Sequence, residues 1–323
     1  MKKVLITGLG YIGGRLALHL TKVPGLSVAV TTLGESIPDS VRDVLGDISV
    51  IPMDLLKDDI EKLAKKIEGF DAIVHLATIN ENQSVENPAK AIAVNTVGTF
   101  NILQASVLSG IEKFIYFSTA HVYAAPLVGN ISEKNLTRPT HPYAYTHRAA
   151  EDYVLATRDT SKLDAIVIRL SNSFGPPAFP EVDRWTLLSN DLCRQAVQNG
   201  KMVLRSSGLQ ERDFITLEDV CLATQHLLQL NREQTLDGLF NVGGEFPISV
   251  SNFTKMIQSR CSLVLGFVPE ILKPVDQVDI SDQRDRLKYD IEKLKSTGFN
   301  LKSNVNDELD SLLLFCCSHF NKK

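Results

Sequence analysis

The chain has 323 residues, 44% of them hydrophobic and 22% charged, and its 34 Lys and Arg against 38 Asp and Glu leave a formal net charge of −4. That length suits one large core, or a core with a smaller lobe, and the slightly acidic balance gives no basis for a nucleic-acid or membrane-surface partner. The five cysteines (Cys193, Cys221, Cys261, Cys316 and Cys317) lack metal-ligand spacing, so no metal site is expected, and their odd number fits a reducing, cytoplasmic setting.

The opening run KKVLIT (2–7) is too short for the apolar region of a signal peptide and reads as a first strand. No run approaches the roughly 20 continuous apolar residues of a membrane span. LSVAVT (26–31), DAIVHLA (71–77), EKFIYFS (112–118) and DAIVIRL (164–170) are further buried strands. Helical spacing occupies 12–22, 58–67, 87–109 and 143–158 between them. Strands alternating with helices predict an α/β fold, a Rossmann-type doubly wound parallel sheet with its ligand site at the strands' carboxyl ends. After SNSFGPPAFP (171–180) the pattern becomes mixed: a helix near 185–199, a strand at MVLR, RDFITLEDV leading into another helix, and LFNVGG as one more strand. The expected division is a dinucleotide-binding core over 1–170 and a smaller C-terminal α/β substrate lobe over 171–323. The two are partly interwoven, because LFNVGG can pack back onto the first sheet. Cys316 and Cys317 are expected to pack within a C-terminal helix.

VLITGLGYIGGRL sets Gly8, Gly10 and Gly13 in G-x-G-x-x-G spacing directly after the first strand, with Tyr11 and Ile12 inside the loop. Such a loop turns tightly at the first glycine, lets backbone approach a pyrophosphate at the second and packs helix on strand at the third. The dinucleotide is NAD or NADP. Strand two ends in Thr31 and Thr32 and lacks the acid that would select NAD. Asp54, beside Leu55, either meets the adenine amino group or is a surface-turn carboxylate.

PYAYTH places Tyr143 at the start of a helix and His147 four residues later, on the same face. A lysine at that spacing would make a reactive phenol; an imidazole with an unperturbed pKa near 6.5 is mostly uncharged at pH 7. Arg148 cannot replace it, because five residues on points around the helix.

Together these stretches resemble the extended short-chain dehydrogenase/reductases, the NAD-dependent epimerase/dehydratase group that modifies nucleotide sugars. The resemblance runs from TGLGYIGG to DRLKYDIEKLKSTGF. It implies that Leu76 and Ala77 of HLA lie against the cofactor, and that Asn95 of VNTVGTFNILQAS flanks the nicotinamide side. In FIYFSTAHVYA it implies Thr119 as the catalytic hydroxyl, with His121 facing the sugar or turned away. Tyr143 becomes the proton donor and acceptor, and His147 holds Tyr143 and the cofactor ribose. Asn172 of RLSNSFGPP and Arg212 of ERDFITLEDV would hold the substrate diphosphate, with Arg284 and Arg286 ranked below them. Arg184 and Trp185 are further candidates to contact base or sugar.

Departures from the family pattern shape the expected function. The glycine loop is one residue short, and His147 stands where the family has lysine. Ala120-His121 replaces the Asp-Glu pair of the dehydratases. A phenol less depressed in pKa remains a competent acid, so the expected activity is reduction of a keto-sugar carried on a nucleoside diphosphate, with Tyr143 as proton donor. An epimerase, a dehydratase, or a non-catalytic dinucleotide or sugar-nucleotide sensor are the alternatives. The resemblance also implies a homodimer paired through the helices near 87–109 and 143–158.

Overall fold

A computed structural model describes residues 1–274 and 286–321. Strands β1 (Lys2–Thr7), β2 (Leu26–Thr32), β3 (Ser49–Pro52), β4 (Ala72–His75) and β5 (Lys113–Thr119) alternate with helices. The short β6 (Asn130–Ile131) precedes the helix Pro142–Thr160, called here the tyrosine helix, and β7 (Asp164–Leu170) follows it. The remainder holds β8 (Asn172–Phe174), β9 (Lys201–Val203), β10 (Glu211–Thr216), β11 (Leu239–Val242) and β12 (Pro247–Ser249) among its helices.

Seven strands form one parallel sheet in the order β11-β7-β5-β4-β1-β2-β3. The chain reverses its direction of travel at β1 and β4, which opens the crevice where doubly wound sheets bind ligands. Alternate residues enter two different cores, as a two-residue repeat requires when both faces are covered. Val4, Ile6, Ile115 and Phe117 pack on one side, and Leu5, Phe114 and Tyr116 on the other. The first core continues into the C-terminal half through Leu217, Val220 and Phe240. β11 pairs with β7, so the division at 170 passes through a continuous sheet. A second sheet, β12-β10-β8, carries the substrate-lobe residues to the crevice.

Among the elements with no counterpart in the sequence pattern are the helix Asp39–Leu45 and β3. β3 is an edge strand ending in Pro52, and an edge tolerates proline because one row of its ladder is unpaired. The single helix expected over 87–109 holds a π turn, Ile92–Gly98, between two α segments. At 21 residues and a mean hydropathy of 1.4 in its most apolar window, Pro88–Leu108 is long and apolar enough to cross a bilayer. A search for unbroken apolar runs passes over it because Lys90, Asn95, Asn101 and Gln104 interrupt. Half of that window is buried inside the fold, with Ile102, Leu103 and Ala105 in the second core. Cys316 is buried in the helix Val305–Phe320, and Cys317 half-buried.

The tyrosine helix is held to the sheet by a buried charge cluster. Glu151 takes Arg169 of β7 at 2.7 and 3.0 Å and the Ser118 hydroxyl of β5 at 2.5 Å. The Arg169 guanidinium also lies 4.7 Å from the centre of the Tyr123 ring, a cation–π contact. Removing one partner of a buried pair strands the other charge and costs roughly 3–5 kcal/mol. Glu151→Ala is therefore expected to lose about that much stability in urea denaturation. A loss below about 1 kcal/mol would show that the cluster does not anchor the helix.

Candidate active site

A cavity of about 430 Å³ opens at the carboxyl ends of β1, β4 and β5, within the size range of small-molecule sites. The glycine loop forms one wall. Gly8 has φ +90°, and a Cβ there would sit 2.8 Å from the Ala77 nitrogen. Its amide donates to the Thr31 hydroxyl at 3.3 Å, so the end of β2 braces the loop. A Cβ on Gly13 would meet the Gly8 carbonyl oxygen at 2.1 Å, which leaves room only for hydrogen. Gly10 instead faces open space and begins the helix Tyr11–Leu20 with no side-chain cap. Unsatisfied amides at a helix N-terminus beside an open glycine suit a pyrophosphate. The residues thus fit a dinucleotide, with Gly8, Gly10, Ile12, Leu76 and Ala77 on the cavity wall.

Other expected cofactor residues take different positions. Tyr11 reaches the wall, but its buried hydroxyl donates to the Gly175 carbonyl at 2.9 Å. Thr32, Asp54, Leu55, Asn95 and His147 are not part of the wall. Asp54 takes the turn role: Oδ1 accepts from the Leu56 and Lys57 amides at 3.0 and 3.2 Å. Asn95, in the π turn, accepts from the Ile79 amide at 2.8 Å and donates to the Thr146 hydroxyl at 3.1 Å. It is buried and ties the segment after β4 to the tyrosine helix.

The tyrosine helix starts with Pro142 at its first position and His141 as cap, whose Nδ1 accepts from the Tyr143 amide. That places Tyr143 in the first turn, on the cavity wall with Thr119 and His121. His147 lies one turn below, its ring edge-on to Tyr143 with centroids 4.3 Å apart. Its Nδ1 meets the Tyr116 hydroxyl at 2.6 Å, while its buried Nε2 has no partner among the described residues. Burial pulls the His147 pKa down to about 3, so the imidazole is neutral at pH 7. His75 is likewise driven by burial to about 3, and both its nitrogens are taken, by the Thr7 and Thr99 hydroxyls at 2.6 and 3.0 Å. It is a satisfied core histidine.

Desolvation raises the Tyr143 phenol well above its usual value, and the Glu81 carboxylate adds to this; the Arg184 guanidinium works against both. Glu81 and Arg184 face the cavity and join in an ion pair of 2.5 Å. Charge type in the sequence points to Arg184 but not to Glu81, since 103 positions separate them and only the fold brings them together. Trp185 corrects an expectation. It is buried, donates to the Pro180 carbonyl at 2.9 Å, stacks on Phe315 and meets Phe320 edge-on, so it packs the lobe and is not on the cavity wall.

Asn172 and Arg212 share the far wall. The Asn172 amide donates to the Asp213 carbonyl at 3.0 Å, binding β8 to β10. Burial lowers the Arg212 pKa, as for a cation not fully compensated by its surroundings. Arg284 lies outside the described residues, and Arg286 is exposed. Arg148 turns to Thr137 and Asp152, away from the phenol.

A model of the NAD dependent epimerase/dehydratase family matches residues 4–243. A dTDP-D-glucose 4,6-dehydratase of Dictyostelium discoideum is 26% identical over 280 residues, covering 80% of this chain and 62% of its own. The dTDP-D-glucose 4,6-dehydratase of Mus musculus is 30% identical over 205 residues, covering 62% and 55%. The chain therefore spans little more than half the length of these relatives. Among solved structures, DesIV of Streptomyces venezuelae, a dTDP-glucose 4,6-dehydratase with NAD bound, superposes with a TM-score of 0.81 at 22% identity. That match covers 98% of this chain and 97% of DesIV and shows a shared fold.

His147 should make stability depend on pH. The unfolded side chain takes up a proton near pH 6.5, whereas the folded one resists until about pH 3. The unfolded state therefore binds more protons in that interval, and stability present above about pH 6.5 is lost as pH falls toward 3. His147→Gln should flatten the fall by up to about 1.4 kcal/mol per pH unit. Urea midpoints measured between about pH 6 and 4 read this slope; an unchanged slope would place His147 in contact with water.

Proposed function

The chain belongs to the NAD dependent epimerase/dehydratase family, and we propose that it reduces a keto-sugar carried on a nucleoside diphosphate. The observation that carries this reading is a catalytic phenol held protonated. Tyr143 is half-buried on the cavity wall with its pKa raised by desolvation, and residue 147 is a neutral imidazole where a lysine cation would favour phenolate. A phenol in that state is a proton donor, which reduction of a carbonyl requires. The dinucleotide held by the glycine loop would supply the hydride in its reduced form.

In this reading the sugar carbonyl lies between Thr119 and Tyr143. Thr119 polarises the oxygen, and Tyr143 protonates the alkoxide as it develops. His147, packed edge-on against the ring from one turn below, orients Tyr143 without charge. Asn172 and Arg212 take the diphosphate, for which a planar guanidinium is well shaped. Ala120-His121 after Thr119 supplies no carboxylate for the elimination that a 4,6-dehydratase performs. We also propose a homodimer: Ile92, Val97, Leu108, Tyr145 and Tyr153 are exposed on the two helices expected to pair.

Incubation with NADH or NADPH and a panel of nucleoside-diphosphate keto-sugars should consume the reduced cofactor. Tyr143→Phe is expected to slow this by roughly 100- to 10,000-fold while leaving dinucleotide binding intact. Interconversion of sugar epimers without net cofactor consumption would replace reduction by epimerisation. Retention of full turnover in Tyr143→Phe would remove the phenol from the mechanism.

A further inference from the structure

Charged and titratable groups converge on Tyr143 from several elements. Glu81 comes from the short helix Glu81–Glu86 after β4. Arg184 arrives across the cavity from the substrate lobe, His121 from the turn after β5, and His141 and His147 from the phenol's own helix. His121 and His147 are both depressed in pKa by burial. Asp183 and Arg212 line the same cavity, but the charged groups that act on the phenol are Glu81 and Arg184, which are 2.5 Å apart. The pair is fixed in place, since Asn80 and Gln83 donate to the Asp183 carboxylate at 3.0 and 3.2 Å beside it. Arg184 shares the cavity wall with the phenol and acts to lower its pKa. A planar fork can serve a carboxylate and a phenol at once, which an ammonium on a flexible stem does less well.

We propose that the Glu81–Arg184 ion pair sets the proton affinity of Tyr143 in place of a lysine at position 147. This rests on Tyr143 being the proton donor. Arg184 stabilises the phenolate left when the proton moves to the substrate alkoxide, and Glu81 cancels enough of that charge to keep the phenol protonated beforehand. Both residues act through Tyr143, so they are positioning residues for its proton. The two halves of the pair have opposite signs at the phenol: loss of Arg184 strands a carboxylate beside it, and loss of Glu81 strands a cation. A purely mechanical tie would behave differently, because either substitution breaks the same link.

The test is a titration that needs no substrate. A difluorotyrosine at position 143, whose phenol ionises at lower pH than tyrosine, is followed by fluorine NMR in the full chain. Arg184→Gln should raise its pKa by about one unit and Glu81→Gln should lower it by about one. The double variant should fall between them, and Arg184→Lys should stay near the parent. Either single variant fixes a sign, so a folding failure in one leaves the other decisive. Shifts in the same direction, or none beyond a few tenths of a unit, would overturn the proposal. Failure of the reductase reading shows separately, as turnover that survives Tyr143→Phe.

Discussion

The geometry of the whole site depends on one buried charge cluster, Glu151 with Arg169 and Ser118. It fixes the tyrosine helix against two neighbouring strands, β5 and β7, and these are the strands whose ends bear Thr119 and lead into Asn172. Apolar packing could hold the helix on the sheet, but it is non-directional. A bidentate arginine bonded to a carboxylate fixes azimuth and height together, and that determines where a side chain two turns away emerges. The Asn95 bonds across the π turn supply a second point of attachment near the helix start. Between the two ties, Tyr143 and His147 have little freedom to exchange faces.

Much of the fold was legible because buried parallel strands require unbroken Val, Ile and Leu runs. β1, β2, β4, β5 and β7 announce themselves in that way. β3 does not, since an edge strand contributes few apolar residues and tolerates proline. The π turn was invisible because one extra residue per turn barely alters a helical spacing over a single turn. In the site, residues contiguous in a motif were readable: Gly8, Gly10 and Gly13, Ala77, Thr119, Tyr143. The Glu81–Arg184 pair was not, because its meaning is tertiary. Trp185 shows the reverse error. An aromatic residue next to an arginine resembles a base-stacking pair, yet the lobe needed a large ring between Pro180 and Phe315.

The exchange of lysine for histidine at 147 is accommodated by its surroundings. A lysine there would bring a charge into a space where burial already drives His147 and His75 far below their ordinary pKa. Tyr116 instead presents a hydroxyl to Nδ1, so the ring is held against Tyr143. Reach and orientation are retained, and charge is not. What the site then lacks in electrostatic strength must come from elsewhere on the cavity wall.

The Glu81–Arg184 ion pair straddles two parts of the chain. Glu81 and Tyr143 belong to the first 170 residues, whereas Arg184 is carried by the loop-rich segment beyond β8. Were that segment to swing outward, the phenol would keep its carboxylate neighbour and lose its cation, and its proton would be held more tightly still. On the proposed reading, the acid would give up its proton most readily where the walls of the cavity meet.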